Sequence, residues 1–343
     1  MPAKILYSPR EVNVTALRRK LVSLRDRLLK VPVMLINIPF ISYFFTLRMA
    51  SGMKALQFAT AMMVIACSAC SYLRWHEPDR ATYPAVRDLA PAQQTLRAAD
   101  EASPYVLLTV IGRISYADFE APFWYVAYRP FQAGLKRVLI LAGIQGDGIA
   151  SVDYLLDAVG ILAATAPGSA ACDMDILPIV NPWGYVFNLP FNRNKIDIGR
   201  DFATFDSPEA RVIRRFLRAK QYDLVIDLRE DPDASGFFVW QYGLADENVS
   251  AQIVSRIRSG GFPVENDAGL LLLKPRDGIV AAPMWGLTFL RLFRQLTLAG
   301  YVRQNVSSVV YTVVTPQRLP LADRVAMQRM AVETLLNAYR ENP

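Results

Sequence analysis

Histidine and cysteine are scarce in this sequence of 343 residues. There is one histidine, His76, and there are three cysteines, Cys67, Cys70 and Cys172. One histidine is too few for a zinc site that needs two, and no other is available to activate a serine or cysteine nucleophile. The cysteine spacing gives neither a disulfide framework nor two Cys-x-x-Cys motifs, and we expect Cys172 to be a buried thiol.

Excess basic charge is also missing from most of the chain. The net charge is +7, but residues 1–54 contain ten Lys or Arg and two Asp or Glu, a balance of +8, so the remaining 289 residues sum to −1. The sequence contains no recognisable nucleic-acid-binding motif, and its body has no basic run. The composition therefore argues against a nucleic-acid partner.

Apolar runs near the N-terminus indicate a membrane or signal segment. Residues 1–52 form a basic and apolar extension, and residues 53–70 read MKALQFATAMMVIACSAC. The second stretch resembles a bacterial lipoprotein signal, in which VIAC fits the lipobox and the thiol of Cys67 receives the lipid. In that case the native protein starts at Met53, with residues 1–52 upstream of it. The alternative is a plain anchor of two apolar segments, although the second is short for a spanning helix.

A polar segment separates these runs from a long body of alternating elements. Residues 71–103 contain Pro78, Pro84 and Pro91 and are predicted to form a tether that leads into the edge of the folded domain. Over residues 104–343, near-continuous apolar strands alternate with helical stretches, which indicates an α/β sheet covered on both faces. We predict a three-layer α/β/α sandwich with a mixed, mostly buried central sheet.

The positions of the strands decide where a site can form, because site residues of such folds gather in loops after the carboxyl ends of strands. Residues rich in β-branched and aromatic side chains predict strands, and helical spacing predicts helices. The predicted strands cover residues 105–114, 123–130, 136–144, 173–181, 222–229, 236–242 and 307–315, and the predicted helices cover 149–165, 207–220, 245–259 and 319–340.

Short polar motifs follow or end several of these strands. In chain order they are LAGIQGDGIA at 141–150, NPWGY at 181–185, DIGRDF at 197–202, DLRED at 227–231 and YTVVTP at 311–316. Together they resemble the M14 zinc carboxypeptidase family. The counterparts in that family are the His-Gly-x-Glu zinc motif, the Asn-Pro-x-Gly-Tyr turn, the Asp-x-Asn-Arg-x-Phe segment, the strand ending in the third zinc ligand and the strand carrying the catalytic Glu.

The resemblance implies a carboxypeptidase-like fold and a demanding chemistry. In the family, two His and one Glu hold zinc, a further Glu moves the proton of the attacking water, and an Arg pairs with the substrate carboxylate. Here the three ligand positions hold Gln145, Gly148 and Arg229, and the catalytic Glu position holds Val314. We therefore expect no zinc, no other cofactor and no catalytic residue.

Arg229 needs a partner, because an unpaired guanidinium at a buried position is strongly destabilising. Acidic neighbours such as Glu230, Asp147 or Asp231 would neutralise it in a salt bridge that fills the former metal position, which is the interpretation we favour. The other interpretation is that the guanidinium binds an anionic ligand there.

Two further cations remain near the position of the family's carboxylate-binding arginine. Arg200 matches that arginine, Gly199 replaces the Asn that usually assists it, and Arg193 lies nearby in sequence. Arg200 either binds a ligand carboxylate, together with Arg193, or pairs with Asp197 or Asp201 and holds the loop.

Three functions remain open. The first is a membrane-anchored, catalytically inactive carboxypeptidase-like protein that binds peptide carboxyl ends in the bacterial cell envelope, with its folded domain outside the cytoplasm. The second is a residual or altered hydrolase of the envelope, with a carboxylate pair such as Asp147 and Glu230 in acid–base work. The third is a structural partner protein. The oligomeric state does not follow from the sequence.

Mass spectrometry of the mature N-terminus tests the lipoprotein hypothesis. We expect a chain that starts at an acylated Cys67, and we expect Cys67→Ser to remove the acyl mass while Cys70→Ser keeps it. A mature chain that retains Met1, or an unmodified Cys67, would contradict the hypothesis.

Overall fold

The structure, a computed structural model, describes most of the chain after residue 82. The described residues are 83–130, 134–165, 172–243, 246–266, 275–282, 284–307 and 309–341. The N-terminal extension, the signal or anchor segment with Cys67 and Cys70, and His76 lie outside these ranges, so the predictions made for them stay predictions. Across the described ranges, none of the helices combines a membrane-spanning length with a sufficiently apolar sequence.

One mixed sheet of eight strands forms the centre of the fold. The strands are β1 (Val106–Tyr116), β2 (Phe119–Tyr128), β3 (Lys136–Leu141), β4 (Cys172–Leu177), β5 (Leu224–Asp231), β6 (Phe238–Gly243), β7 (Ile279–Ala282) and β8 (Val309–Pro316). Their order across the sheet is β1-β2-β4-β3-β5-β8-β6-β7.

The four central strands run in one direction. β4, β3, β5 and β8 pair in parallel, whereas β2 pairs antiparallel with β4, and β6 pairs antiparallel with β8. The carboxyl ends of the parallel strands therefore open at one edge of the sheet, where ligands bind in open α/β folds. This arrangement confirms the predicted mixed sheet and brings the motif-bearing turns to one edge.

Helices cover both faces of the sheet. Alternate residues of β3 separate two apolar clusters: Val138 and Ile140 pack with α1, α2, α5 and α8, and Leu139 and Leu141 pack with α4 and α7 on the opposite face. The layers of helix, sheet and helix agree with the predicted sandwich. The helices are α1 (Ala90–Ala102), α2 (Ile149–Ala164), α3 (Pro182–Phe187), α4 (Pro208–Leu217), α5 (Glu247–Ser259), α6 (Met284–Leu292), α7 (Leu298–Asn305) and α8 (Leu321–Glu341).

The predicted tether at 71–103 is wrong for its second half. Ala90–Ala102 is an α-helix whose Leu96 is fully buried in the core. Pro91 is compatible with a helix here, because it lies in the first turn, where a missing N–H costs no hydrogen bond. Before the helix, the backbone N–H groups of Val86 and Arg87 both donate to the carbonyl of Val186, so this segment is already part of the folded domain.

Several elements were not predicted, and the end of β5 was predicted two residues too early. β7 has four residues at the sheet edge, and α3 is a short helix within the NPWGY motif, so neither gives a long periodic pattern. Glu230 and Asp231 lie in β5 and not after it, because its pairing with β8 continues to Asp231 opposite Pro316. Helices α6 and α7 were also missed.

Cys172 begins β4 and is a buried free thiol. Burial raises its pKa to about 12. Because the thiolate is the reactive form of cysteine, this side chain is chemically inert at neutral pH. The prediction of a buried thiol is confirmed.

A buried carboxyl group holds the loop that leads to the DIGRDF motif. Glu209 of α4 is fully buried and accepts hydrogen bonds from the Tyr116 hydroxyl (2.6 Å) and from Asn192 Nδ2 (3.0 Å). The side-chain oxygen of Asn192 in turn accepts from the backbone N–H groups of Asn194 and Ile196. The β1–β2 hairpin, the loop and α4 are therefore joined at one point.

Replacing this carboxyl group should change how stability depends on pH. Burial raises the pKa of Glu209, so its protonated form favours folding, and wild-type stability falls as pH rises from the unfolded-state pKa through the folded-state pKa. Glu209→Gln cannot ionise, so we expect the free energy of unfolding of the variant, relative to wild type, to increase from acidic to neutral pH. Urea unfolding at several pH values measures this difference, and a constant difference would contradict the assignment.

Candidate functional site

The first motif forms a tight turn after β3. The carbonyl of Gln145 accepts a hydrogen bond from the N–H of Gly148 at 3.1 Å, and Gly148 leads directly into α2. A Cβ atom at Gly146 would lie 1.9 Å from the carbonyl carbon of Gly184, so only glycine allows the close contact. The turn therefore lies directly on the backbone of the NPWGY motif.

The NPWGY motif is a second turn, built around Asn181. Its side-chain Oδ1 accepts from the N–H of Gly184 at 2.8 Å and caps α3, while its own N–H donates to the carbonyl of Gly143 at 2.8 Å. Arg87 joins the two turns from outside, because its Nη1 donates to the carbonyls of Tyr185 (3.0 Å) and Gly146 (3.4 Å). These contacts make the two turns one structural unit.

Arg229, the residue predicted at the third ligand position, is paired with Asp227. Its Nε donates to Asp227 Oδ2 at 2.7 Å, and the two side chains are 17% and 2% exposed. Burial raises the pKa of Asp227 and the nearby guanidinium opposes this shift. The predicted partners of Arg229 were Glu230, Asp147 and Asp231, and that prediction is wrong. The ion pair is with Asp227, which shares the face of Arg229 two residues earlier in β5, whereas Glu230 pairs with Arg324 and Asp231 accepts from the N–H of Asp233.

The DIGRDF motif faces the same guanidinium. A Cβ atom at Gly199 would lie 3.0 Å from Arg229 Nη1 and 3.0 Å from Asp197 Oδ1. Arg200 is half-exposed, and its Nε lies 3.4 Å from Asp197 Oδ2. Asp201 does not take part, since its carboxylate accepts from the Ser207 hydroxyl and nearby backbone N–H groups.

A second ion pair lies beside the first turn. Glu230 accepts from the N–H of Ala150 at 2.7 Å and from the guanidinium of Arg324 on α8. Its Cγ is 3.7 Å from the position that a Cβ at Gly148 would take. Burial raises the pKa of Glu230 and Arg324 opposes this shift. A carboxylate thus reaches the region of the second ligand position, but it is already paired.

Val314, at the position of the catalytic Glu, lies in the sheet directly beside Arg229. It is buried in a small apolar cluster with Ala234, Phe238 and Val280. A valine in such surroundings neither accepts nor donates a proton. The position that would move a proton in the family is therefore a packing position here.

Arg193 contacts the β1–β2 hairpin and α3. Its Nε lies 3.1 Å from both carboxylate oxygens of Asp118, in the turn between β1 and β2, and its guanidinium lies over the ring of Trp183. These contacts place Arg193 against the hairpin and α3. Among the cations considered from the sequence, Arg200 and Arg229 are the two that converge on Asp197.

The side chains at this edge do not suit a metal ion. Within the described ranges, no cluster of three His, Cys, Asp or Glu side chains could hold one. A zinc site needs neutral imidazole, thiolate or carboxylate donors, whereas the three ligand positions supply an amide, no side chain and a fixed cation. The residues present do not fit the zinc ion that the resemblance implies.

Three contributing residues were missed by sequence reasoning. Asp227 could have been found, since the Asp-x-Arg spacing in a strand places both side chains on one face. No local sequence pattern around Arg324 and Gln328 of α8 predicts that they contact β5. Gln328 Nε2 donates to the Arg229 carbonyl at 3.0 Å, and Arg324 lies 94 residues from its partner Glu230.

Comparison with known proteins identifies the fold. No protein-family model matches the chain, and no curated protein matches it by sequence. Among solved structures, a candidate metallopeptidase from Shewanella amazonensis matches with a TM-score of 0.60 and 19% identity, over 73% of this chain and 93% of the other. A metallo-carboxypeptidase from Burkholderia cenocepacia gives 0.55 and 16%, over 74% and 69%. One from Pseudomonas aeruginosa gives 0.53 and 14%, over 74% and 69%.

The chain therefore has the fold of the metallo-carboxypeptidases, and the resemblance predicted from its motifs is confirmed at that level. Sequence identities of 19%, 16% and 14% to these structures establish the fold alone. The activity of this chain has to be argued from its own residues.

Restoring one ligand should not restore zinc binding. We expect Gln145→His, exposed to zinc and freed of excess metal, to retain no more zinc than wild type, because Gly148 offers no donor and Arg229 repels a dication. Elemental analysis of both proteins measures the metal content. One tightly held zinc per chain in the variant would mean that these three positions do not define the former site.

Proposed function

We propose that this protein is a non-catalytic carboxypeptidase-like binding protein that recognises the carboxyl end of a peptide. The observation that carries the proposal is the Arg229–Asp227 ion pair at the third ligand position. The resemblance implies that this guanidinium takes the place of the ion that polarises the substrate in the family. A guanidinium cannot generate a zinc-bound hydroxide, but it suits the binding of a carboxylate.

The absence of a suitable proton carrier supports a binding role over residual hydrolysis. Val314 is apolar, and the carboxylate of Glu230 is held by Arg324 and by the N–H of Ala150. Asp147, its partner in the hydrolase alternative, is partly buried, and burial raises its pKa. The charge of Asp147 also raises the pKa of Glu230, but a raised pKa alone does not make an acid–base pair when the Glu230 carboxylate is already held in an ion pair.

Two arginines at this edge of the sheet, Arg200 and Arg229, support a carboxylate as the group that the site recognises. Arg200 and Arg229 both lie beside Asp197, and Arg200 is exposed enough to exchange its partner. The contact between Arg200 and Asp197 is 3.4 Å long, between side chains that are 55% and 41% exposed, and exposed pairs contribute little to stability. An incoming carboxylate can therefore compete with Asp197 for this guanidinium.

We further propose that the N-terminal segment anchors the protein in the bacterial cell envelope through Cys67. The lipobox-like VIAC supports this location, and peptides of the envelope would then be within reach of the folded domain. A structural-partner function is the alternative, and it predicts no selectivity for free carboxyl ends.

Peptide binding tests the proposal. Acetylated tripeptides ending in Ala, Phe, Lys or Glu are titrated into the full-length protein by calorimetry, each with a free and an amidated carboxyl end. We expect at least one free acid to bind about 10-fold more tightly than its amide, the usual scale for a charge-assisted hydrogen bond.

The controls separate the three functions. Added chelator should leave the affinity unchanged, and the free peptides should be recovered intact after incubation with the protein. Equal binding of acids and amides, or no binding of either, would contradict the carboxylate proposal. Hydrolysis that chelator stops would favour the residual hydrolase.

A further inference from the structure

We infer that Arg229 is the principal hydrogen-bond donor to the ligand carboxylate. We also infer that the absence of a side chain at Gly199 gives the ligand access to the Arg229 guanidinium. This inference rests on the proposed function and names the residues that carry it. The anion would then bind at the former third metal-ligand position, deeper than Arg200.

The guanidinium of Arg229 is anchored by one nitrogen only. Nε contacts Asp227 Oδ2, while Asp227 Oδ1 is buried without a hydrogen-bond partner, so the pair is not bidentate. In the part of the chain that the structure describes, neither Nη atom of Arg229 has a hydrogen-bond partner, and neither is fully buried. Two parallel N–H donors on a fixed plane match the two oxygens of a carboxylate.

The environment of this guanidinium favours binding over a purely structural function. Its side chain is 17% exposed, so the Nη end is partly shielded from water yet still reachable. Partial desolvation strengthens a charge-assisted hydrogen bond relative to one in bulk water. The ion pair with Asp227 fixes the orientation of the Arg229 guanidinium before a ligand arrives, which lowers the entropic cost of binding.

Because Gly199 has no side chain, there is space in which the ligand carboxylate would contact the Arg229 guanidinium. A Cβ atom at this position would lie 3.0 Å from Arg229 Nη1, closer than most real Cβ contacts, and 3.6 Å from Cζ. The backbone of Gly199 is not in the left-handed region, so the glycine is not required by its conformation. A side chain at this position would therefore occupy the space beside Nη1 in which the ligand carboxylate would bind.

Arg200 is the weaker donor by comparison. It is 55% exposed, lies at the end of one turn of 3-10 helix, and already contacts Asp197 through Nε. A more solvated guanidinium gains less from each hydrogen bond, because water competes for the same donors. We expect Arg200 to attract the ligand and Arg229 to hold its carboxylate.

Substitution of Gly199 tests the inference without removing a charge. In the calorimetric assay with the acetylated tripeptides, we expect Gly199→Ser to lower the affinity for the free acids at least about 10-fold, because the new side chain crowds Nη1. The matched control is Gly160→Ser on α2, where a Cβ meets no atom within 4 Å, and it should bind as wild type does.

A second variant keeps the test decisive if Gly199→Ser does not fold. Arg229→Lys retains a cation for Asp227 but lacks the planar fork, so we expect a loss of affinity of at least about 10-fold with a folded circular dichroism spectrum. Arg200→Gln should weaken binding less than either of these variants.

The outcomes distinguish this inference from the proposed function. If wild type prefers free acids but folded Gly199→Ser and Arg229→Lys bind them equally well, the inference is wrong and the proposed function stands. The same holds if Arg200→Gln alone abolishes binding. If wild type itself does not distinguish acids from amides, both are contradicted.

Discussion

The ion pair between Arg229 and Asp227 is the interaction on which the rest of the candidate site depends. A cation at this depth needs a carboxylate, and the two-residue repeat of a strand places Asp227 where it can reach Nε. The guanidinium then needs space on its other side, which Gly199 provides. Three positions from two distant segments therefore depend on one another, and changing one alone disturbs the balance of charge or volume at the other two.

Most of the sheet could be predicted from the sequence because buried parallel strands are read directly as continuous apolar runs. β3 and β5 were found in this way, although the exact end of β5 was not, since charged residues continue its pairing with β8. The missing elements have physical reasons. β7 is too short for a periodic signal, and α1 begins with Pro91, which is as typical of a helix start as of a loop.

The site was predictable only in part. The order of the motifs located the turns, and the residue types at Gln145, Gly148 and Arg229 indicated that a metal would not fit. The partners could not be assigned in the same way, because contacts between distant segments leave no spacing pattern. Arg324 reaches Glu230 across 94 residues, and Gly199 faces Arg229 of β5 from a separate turn of the chain. Arg193 and Arg200 are close in sequence, yet their ion pairs are with different segments.

The hydrogen bonds of Arg87 to the two turns have a mechanical consequence. This residue lies near the start of the described chain, and its guanidinium holds the backbone carbonyls of both Gly146 and Tyr185. Backbone carbonyls do not rotate away as side chains do, so tension on the segment before α1 is transmitted to the two turns themselves. A pull from the N-terminal side would therefore act on these two turns as well as on α1.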